Sequence, residues 1–354
     1  MKLFKLLIIV ITTVSLIACD DAPKSNKPVV KIGMILPLSG DFAAYGDATK
    51  RALEIFRDDI EKQNLANNYE FILEDGGTES QKASTLIRKM IFLDKINAVM
   101  DYISATAMVI APIAEENQII HISSVAAPEA SVGNYNFRLI SDFKDGAEMI
   151  SRKLKSYGVQ KIALVNQQSS SMSIIMAELK PVFAKYFDIT GDYSFNAGEK
   201  DYGVIVQRLA REKPDYIILE SMPPDSTLFV KSVRQHNINI PITGFQTIMM
   251  IPDLSVTEGW WDVDTAMPDS GFLDKYGNVG GTDNSYYADY VYTMLQILVN
   301  GFENAKTTDR SGFLEVTNGL NSPIGKLTIS KDKNVNIPNV YKQVKNGIAV
   351  MIKE

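Results

Sequence analysis

From Val29 onward, short apolar runs alternate with stretches in which apolar residues recur every three or four positions. VVKIGMIL is the first run and predicts a strand. Ala48, Ala52, Ile55, Phe56 and Ile60 then mark one face of a helix from Ala43 to Gln63. YEFILED reads as a strand, Ser80 to Asp94 as a helix, and INAVMDYI as the next strand. A helix from Thr106 to Glu116 leads into IIHIS. After a bridge near NYNFRLIS the alternation restarts, with a helix from Lys144 to Ser156, KIALVNQQ, and a helix from Ser173 to Phe187. DITGDYSF, a helix from Tyr202 to Glu212, PDYIILES, a helix from Ser226 to His236 and PITGF complete the second set. Strands separated by helices of about 10–15 residues predict parallel sheets covered on both faces. The expected fold class is therefore α/β, with two doubly wound units in series. Residues 250–285, rich in Gly, Asp and Pro, read as loop. YYADYVYTMLQILVNGF is a strong amphipathic helix, and KLTIS and VYKQVKNGIAVMI are late strands.

Composition sharpens this picture at the N-terminus. Lys2 and Lys5 precede an apolar run from Leu6 to Ala18, too short for a membrane span and ending in a small residue. This describes a secretory signal over residues 1–18. Cys19 is the single cysteine and stands at the expected cleavage point. Leu16-Ile17-Ala18-Cys19 resembles the bacterial lipobox, which implies a diacylglyceryl thioether on Cys19 and, usually, an acylated amine. Such a lipid anchor tethers a chain without spanning the bilayer. Asp20 resembles an inner-membrane retention signal, and residues 19–28, which include DDAPKSNKP, read as a polar tether. No cysteine is left for a disulfide, a zinc site or a thiol nucleophile. The remaining chain has ordinary globular composition, and its 354 residues favour more than one compact unit. A net charge of -6 without a concentrated basic patch argues against a nucleic-acid partner.

Chemistry is sparse. His121 lies inside an apolar strand run and His236 near a helix end, places where a lone histidine packs or is solvated. No H-E-x-x-H, G-x-S-x-G or G-x-x-x-x-G-K motif occurs, and GWWDVDTAMPD lacks calcium-loop spacing. Ser123 and Ser124 open SSVAAPEA at the end of a buried strand, but neither has an assignable base. Neither catalysis, a metal nor a cofactor is expected.

The order of several segments resembles the type I periplasmic solute-binding proteins, in the branched-chain amino acid group that feeds ABC importers. The segments are IGMILPLSGDFAAYGDATKRALE, EDGGTESQKA, AAPE, YNFRLISDFKDG, AGEKDYGVIVQRL and KPDYIIL, spread over almost the whole chain after residue 30. The resemblance implies two doubly wound lobes joined by a three-strand hinge. Lobe one is expected over residues 29–140 plus 250–323, and lobe two over 141–249 plus 324–354. The ligand is expected between them, at the carboxyl ends of the strands. Projected by position, the pocket takes Tyr45, Ser104, Thr106, Ser124 and Ala126 from lobe one. Ser171, Met222 and Gln246 come from lobe two. Ser104 and Thr106 sit where a helix start would offer free amides to a carboxylate.

The same resemblance exposes departures. Amino-acid binders commonly carry threonine at Ala126, aromatic residues near Ser171 and Met222, and an ammonium-pairing glutamate near Gln246. A neutral amide can hydrogen-bond an ammonium but cannot balance its charge. Asp101 and Glu220 are possible substitute acids. The expectation is a monomeric, lipid-anchored receptor that carries an amino acid or a related solute to an ABC permease. The alternative is a regulatory or sensory envelope lipoprotein that uses the same fold to bind a protein partner.

Overall fold

The computed structural model describes residues 27–353 except 252, 283, 284 and 286. The predicted leader, the lipidation position Cys19 and most of the tether lie outside the described residues.

The first half builds β1 (Val29–Leu36), α1 (Ala43–Glu61), β2 (Asn68–Asp75), α2 (Ser80–Lys89), β3 (Ala98–Asp101), α3 (Ser104–Glu116), β4 (Ile120–Ser123) and β5 (Asn136–Ser141). All five strands run parallel in the order β5-β4-β3-β1-β2. The central strands β1, β3 and β4 are covered on two sides, which explains their largely apolar character. Ile32, Met34 and Leu36 point into the core beneath α1, whereas Ile35 between them packs with Ile87 and Ile110 of α2 and α3. NYNFRLIS is more than a bridge: six of its residues form β5 within the sheet.

The second unit repeats the plan with α4 (Phe143–Ser156), β6 (Lys161–Gln168), α5 (Ser170–Phe183), β7 (Asp188–Asn196), α6 (Gly203–Glu212), β8 (Tyr216–Glu220), α7 (Asp225–Gln235) and β9 (Ile242–Thr243). Its parallel order is β7-β6-β8-β9. Ile162 and Leu164 face α4 and α5, while Ala163 and Val165 face α6 and α7.

The remaining chain crosses between the units. β10 (Trp261–Thr265) joins the second sheet through a parallel bridge between Phe245 and Val263. α8 (Ser270–Asn278), α9 (Ala288–Asn304) and α10 (Arg310–Thr317) follow, and α8 and α9 pack on α1. Two short strands, β11 (Asn321–Ser322) and β12 (Gly325–Lys326), make a hairpin. β13 (Thr328–Ile329) and β14 (Val335–Ile337) then extend the first sheet, β14 lying parallel to β5. β15 (Asn339–Lys345) and β16 (Ile348–Ile352) return to the second unit, where β15 pairs antiparallel with β10.

The chain thus passes between the units at 141–143, 265–267 and 337–339. By strand pairing, the second and third passages lie later than the divisions expected at 249/250 and 323/324. Residues 250–285 are also not all loop, since they hold β10 and α8. β10 escapes a hydrophobic pattern because two of its five residues are aspartates, one of them fully buried.

The Tyr-Gly step at the start of α1 has a steric reason. A Cβ on Gly46 would sit 2.5 Å from the carbonyl oxygen of Leu38, a backbone atom that cannot swing aside. Gly46→Ala should therefore cost about 1–3 kcal/mol through forced backbone displacement, read as a lower thermal midpoint. An unchanged midpoint would show that α1 does not approach this loop so closely.

Candidate functional site

Register on the crossing strands places charge inside the protein. Asp262 lies opposite Lys342, and Asp264 opposite Val340. Side chains alternate along a strand, so Asp262, Asp264 and Lys342 share one face, while Trp261 and Tyr341 share the other. On the charged face Lys342 Nζ donates to Asp264 Oδ2 at 2.8 Å. Asp262 Oδ2 accepts the backbone N–H groups of Ile248 and Met249 at 3.1 and 3.3 Å, tying the neighbouring short helix to the crossing strand. Asp289, in the first turn of α9, approaches from the other unit, and the Ser285 hydroxyl donates to its Oδ1 at 3.1 Å.

Burial pushes the Asp262 carboxyl well above its ordinary range, and the neighbouring Asp264 adds to this, against the pull of Lys342. Asp289 is raised chiefly by burial, with Lys342 opposing. Burial works against the charge on Lys342, but the attraction of Asp264 prevails and its ammonium holds its proton more tightly than usual. Among the described residues, no group of three or more His, Cys, Asp or Glu side chains is disposed to hold a metal.

The opposite face is aromatic. Lys153 of α4 points its ammonium over the rings of Tyr341, Trp261 and Tyr157 at 4.8, 5.4 and 5.8 Å. Cation–π attraction of this kind stabilises an ammonium that has been withdrawn from water.

A cavity of about 680 Å³ opens on the charged face. Tyr45 of α1 and Tyr287, Asp289 and Tyr290 around the start of α9 wall it from the first unit. Gln246, Met249 and Met250 wall it from the second, and Asp264 and Lys342 contribute from the crossing strands. The Tyr287 ring lies 4.6 Å from Tyr290 and 6.1 Å from Tyr45, giving a continuous aromatic wall. Gln246 has a left-handed backbone, φ 57°, and its amide donates to Ser141 Oγ at 2.7 Å, spanning the first passage between the units.

Of the eight projected residues, Tyr45 and Gln246 line this cavity and the other six do not. Ser104 and Ser171 meet each other, their hydroxyl oxygens 2.9 Å apart, where the starts of α3 and α5 face across the seam between the units. The Thr106 hydroxyl is buried against Asp101 Oδ2 at 2.7 Å. Ser124 is half-buried and donates its backbone N–H to the Asp101 carbonyl. The Ala126 carbonyl accepts from Arg138 Nη1 at 2.6 Å. The Met222 N–H donates to Gln167 Oε1, and its side chain packs on the core beside α4 and α5.

Neither possible substitute acid reaches the cavity wall. Asp101 is fully buried with Thr106 and His121, and Glu220 is fully buried beneath the Phe245 N–H and Thr247. Asp264, Asp289, Lys342 and Tyr287 also line the cavity, although the sequence did not single them out. The signal available was an Asp-x-Asp alternation and a lysine, Lys342, between apolar residues in the strand segment VYKQV.

Two doubly wound units, three crossings and a cavity between them define a two-lobed binding protein. A family model described as "Periplasmic binding protein" matches residues 29–343. The Leu/Ile/Val-binding protein BraC3 of Rhizobium johnstonii is 24% identical over 240 residues, covering 65% of this chain and 63% of the relative. The match thus spans less than two thirds of that relative's length. A Rhodopseudomonas palustris solute-binding protein, solved with p-hydroxybenzoic acid, superposes with a TM-score of 0.80 at 18% identity, covering 92% of this chain and 96% of the other. The Streptococcus pneumoniae branched-chain amino acid binding protein LivJ, solved with isoleucine, gives a TM-score of 0.74 at 17% identity, covering 92% and 100%. The chain belongs to the periplasmic binding protein family, with the type I fold of the branched-chain amino acid group. That family comprises solute-binding proteins rather than enzymes, and membership implies an extracytoplasmic location. Among the described residues, no helix is long and apolar enough to cross a membrane.

Burial raises the Glu220 carboxyl well above its ordinary value of 4.5, although the N–H of Phe245 and the Thr247 hydroxyl pull the other way. The folded state therefore holds this proton more tightly than the unfolded state, and the stability it contributes fades as pH rises above 4.5. Thermal midpoints of the wild type should fall relative to Glu220→Gln as pH increases. Parallel curves would mean that Glu220 does not carry the proton.

Proposed function

We propose that this chain is the solute receptor of an ABC importer, tethered outside the cytoplasm by lipid on Cys19, and that it binds a small organic solute between its lobes. The observation that carries this reading is the cavity of about 680 Å³, walled by both lobes and by the crossing strands. That volume lies within the range of small-molecule sites, and its mixture of tyrosine, methionine and a few charged groups is usual for them. A solute touching both lobes favours the closed arrangement over the open one by its differential contacts, so closure reports occupancy to a permease. BraC3 is named for leucine, isoleucine and valine, and the two solved relatives hold isoleucine and p-hydroxybenzoic acid. Amino acids and related small acids are therefore the first solutes to test.

The regulatory or sensory reading has one observation in its favour. Ser104 and Ser171, projected onto opposite sides of the ligand, touch each other. Native mass spectrometry of the purified full chain, followed by a thermal-shift screen of amino acids, amides and aromatic acids and amines, separates the readings. A co-purified small molecule or a saturable rise in midpoint is expected. A chain that is always empty, with no shift across the screen, would support a protein partner instead.

A further inference from the structure

We propose that the inter-lobe cavity selects an organic amine, a solute with an ammonium head and an apolar or aromatic body, and that Asp289 and the tyrosine wall hold the head. The proposal rests on the solute-binding reading and specifies its ligand. It also moves charge recognition away from Gln246, the position to which the family resemblance assigns it.

Among the described residues, the charged side chains on the wall are Asp264, Asp289 and Lys342, two acids and one base. Lys342 and Asp264 satisfy each other at 2.8 Å. Among the described residues Asp289 forms no ion pair: it feels Lys342 only at a distance, as an ammonium already bonded to Asp264, and its side-chain partner is the neutral Ser285 hydroxyl. It is 5% exposed, and the fully buried Asp262 adds a further acid beside the ion pair. A buried carboxylate that only shares a counter-charge with another acid is costly, and burial raises the Asp289 carboxyl despite the pull of Lys342. An ammonium entering from the cavity would supply the missing charge.

The aromatic residues point the same way. Tyr45, Tyr287 and Tyr290 line the space as one wall, and ring faces attract an ammonium. Met249, Met250 and Met267 provide adaptable apolar surface for the body of the solute.

A carboxylate has poorer prospects. Among the described residues lining the cavity Lys342 is the one basic residue, and it is already matched by Asp264. The hydroxyls at the starts of α3 and α5, which could have received a carboxylate, bond each other and do not line the cavity. An α-amino acid would thus bring a second charge for which no unmatched cation stands ready.

Isothermal titration calorimetry of the purified full chain with two matched series tests this. One series is 2-phenylethylamine, phenylalanine and 3-phenylpropionate; the other is 3-methylbutylamine, leucine and 4-methylpentanoate. At least one amine should bind about tenfold or more tightly than its carboxylate partner and more tightly than its amino acid. Asp289→Asn should remove about tenfold or more of that amine affinity and leave the carboxylate unaffected or improved. A carboxylate or amino acid that binds more tightly than its amine overturns the proposal, as does amine binding indifferent to Asp289→Asn. Should that variant fail to fold, the wild-type head-group order and the loss of amine affinity in Tyr287→Leu decide the matter. A wild-type chain that binds amino acids or acids but no amine defeats this proposal alone. One that binds none of the six and carries no co-purified solute defeats the solute-binding reading with it.

Discussion

The ion pair between Lys342 and Asp264 is the interaction on which the centre of the molecule depends. Its two members lie on the crossing strands, and each is nearly out of contact with water. Breaking such a pair by removing one partner costs about 3–5 kcal/mol, because the other charge is left buried and uncompensated. The pair also fixes register. A slip of one residue between β10 and β15 would turn Asp262 and Asp264 toward Trp261's present surroundings, where Lys153 is already held by aromatic rings. Charge on one face and aromatic surface on the other therefore define how the crossing strands must pair.

From that register the cavity follows. Asp262 ties down the turn at Ile248 and Met249, which places Gln246 and the methionines on the second-lobe wall. On the other side the start of α9 brings Asp289 and its tyrosines toward the same strands. Among the described residues the ties between the lobes include the hydroxyl pair at Ser104 and Ser171, the amide–hydroxyl bond at Gln246 and Ser141, the bond from the Tyr290 hydroxyl to Thr265 Oγ1, and apolar contacts of Ala126 and Ile174 across the seam. Each such bond contributes only about 0.5–1.5 kcal/mol net. A solute that contacts both walls can readily outweigh them, which is what a hinge-closing receptor requires.

Much of the fold was legible because its strands are buried on both faces and its helices carry one apolar side. β1, β6 and β8 read as continuous apolar runs, and α1 and α4 as periodic stripes. β10 was hidden for the opposite reason. One of its two faces is acidic, which breaks the apolar run, so a strand in the heart of the protein looked like a polar loop. β5 was obscured by Asn136 and Arg138, whose polarity is absorbed by Glu115 and by the Ala126 carbonyl. At the site, family resemblance led to Tyr45 and Gln246 on the cavity wall and to Ser104 and Ser171 across the seam. It did not lead to Asp264, Asp289 and Lys342. These come from three separate segments, and only strand pairing and the packing of α9 bring them together.

A crystal structure of the protein with its solute bound tests most directly whether the crossing-strand cavity is the recognition site. The solute's charged head should lie within hydrogen-bond distance of Asp289, with its body between Tyr45 and Tyr287 and the Lys342–Asp264 pair intact. A solute lodged instead between Ser104 and Ser171, with those hydroxyls driven apart and the cavity holding only water, would contradict it.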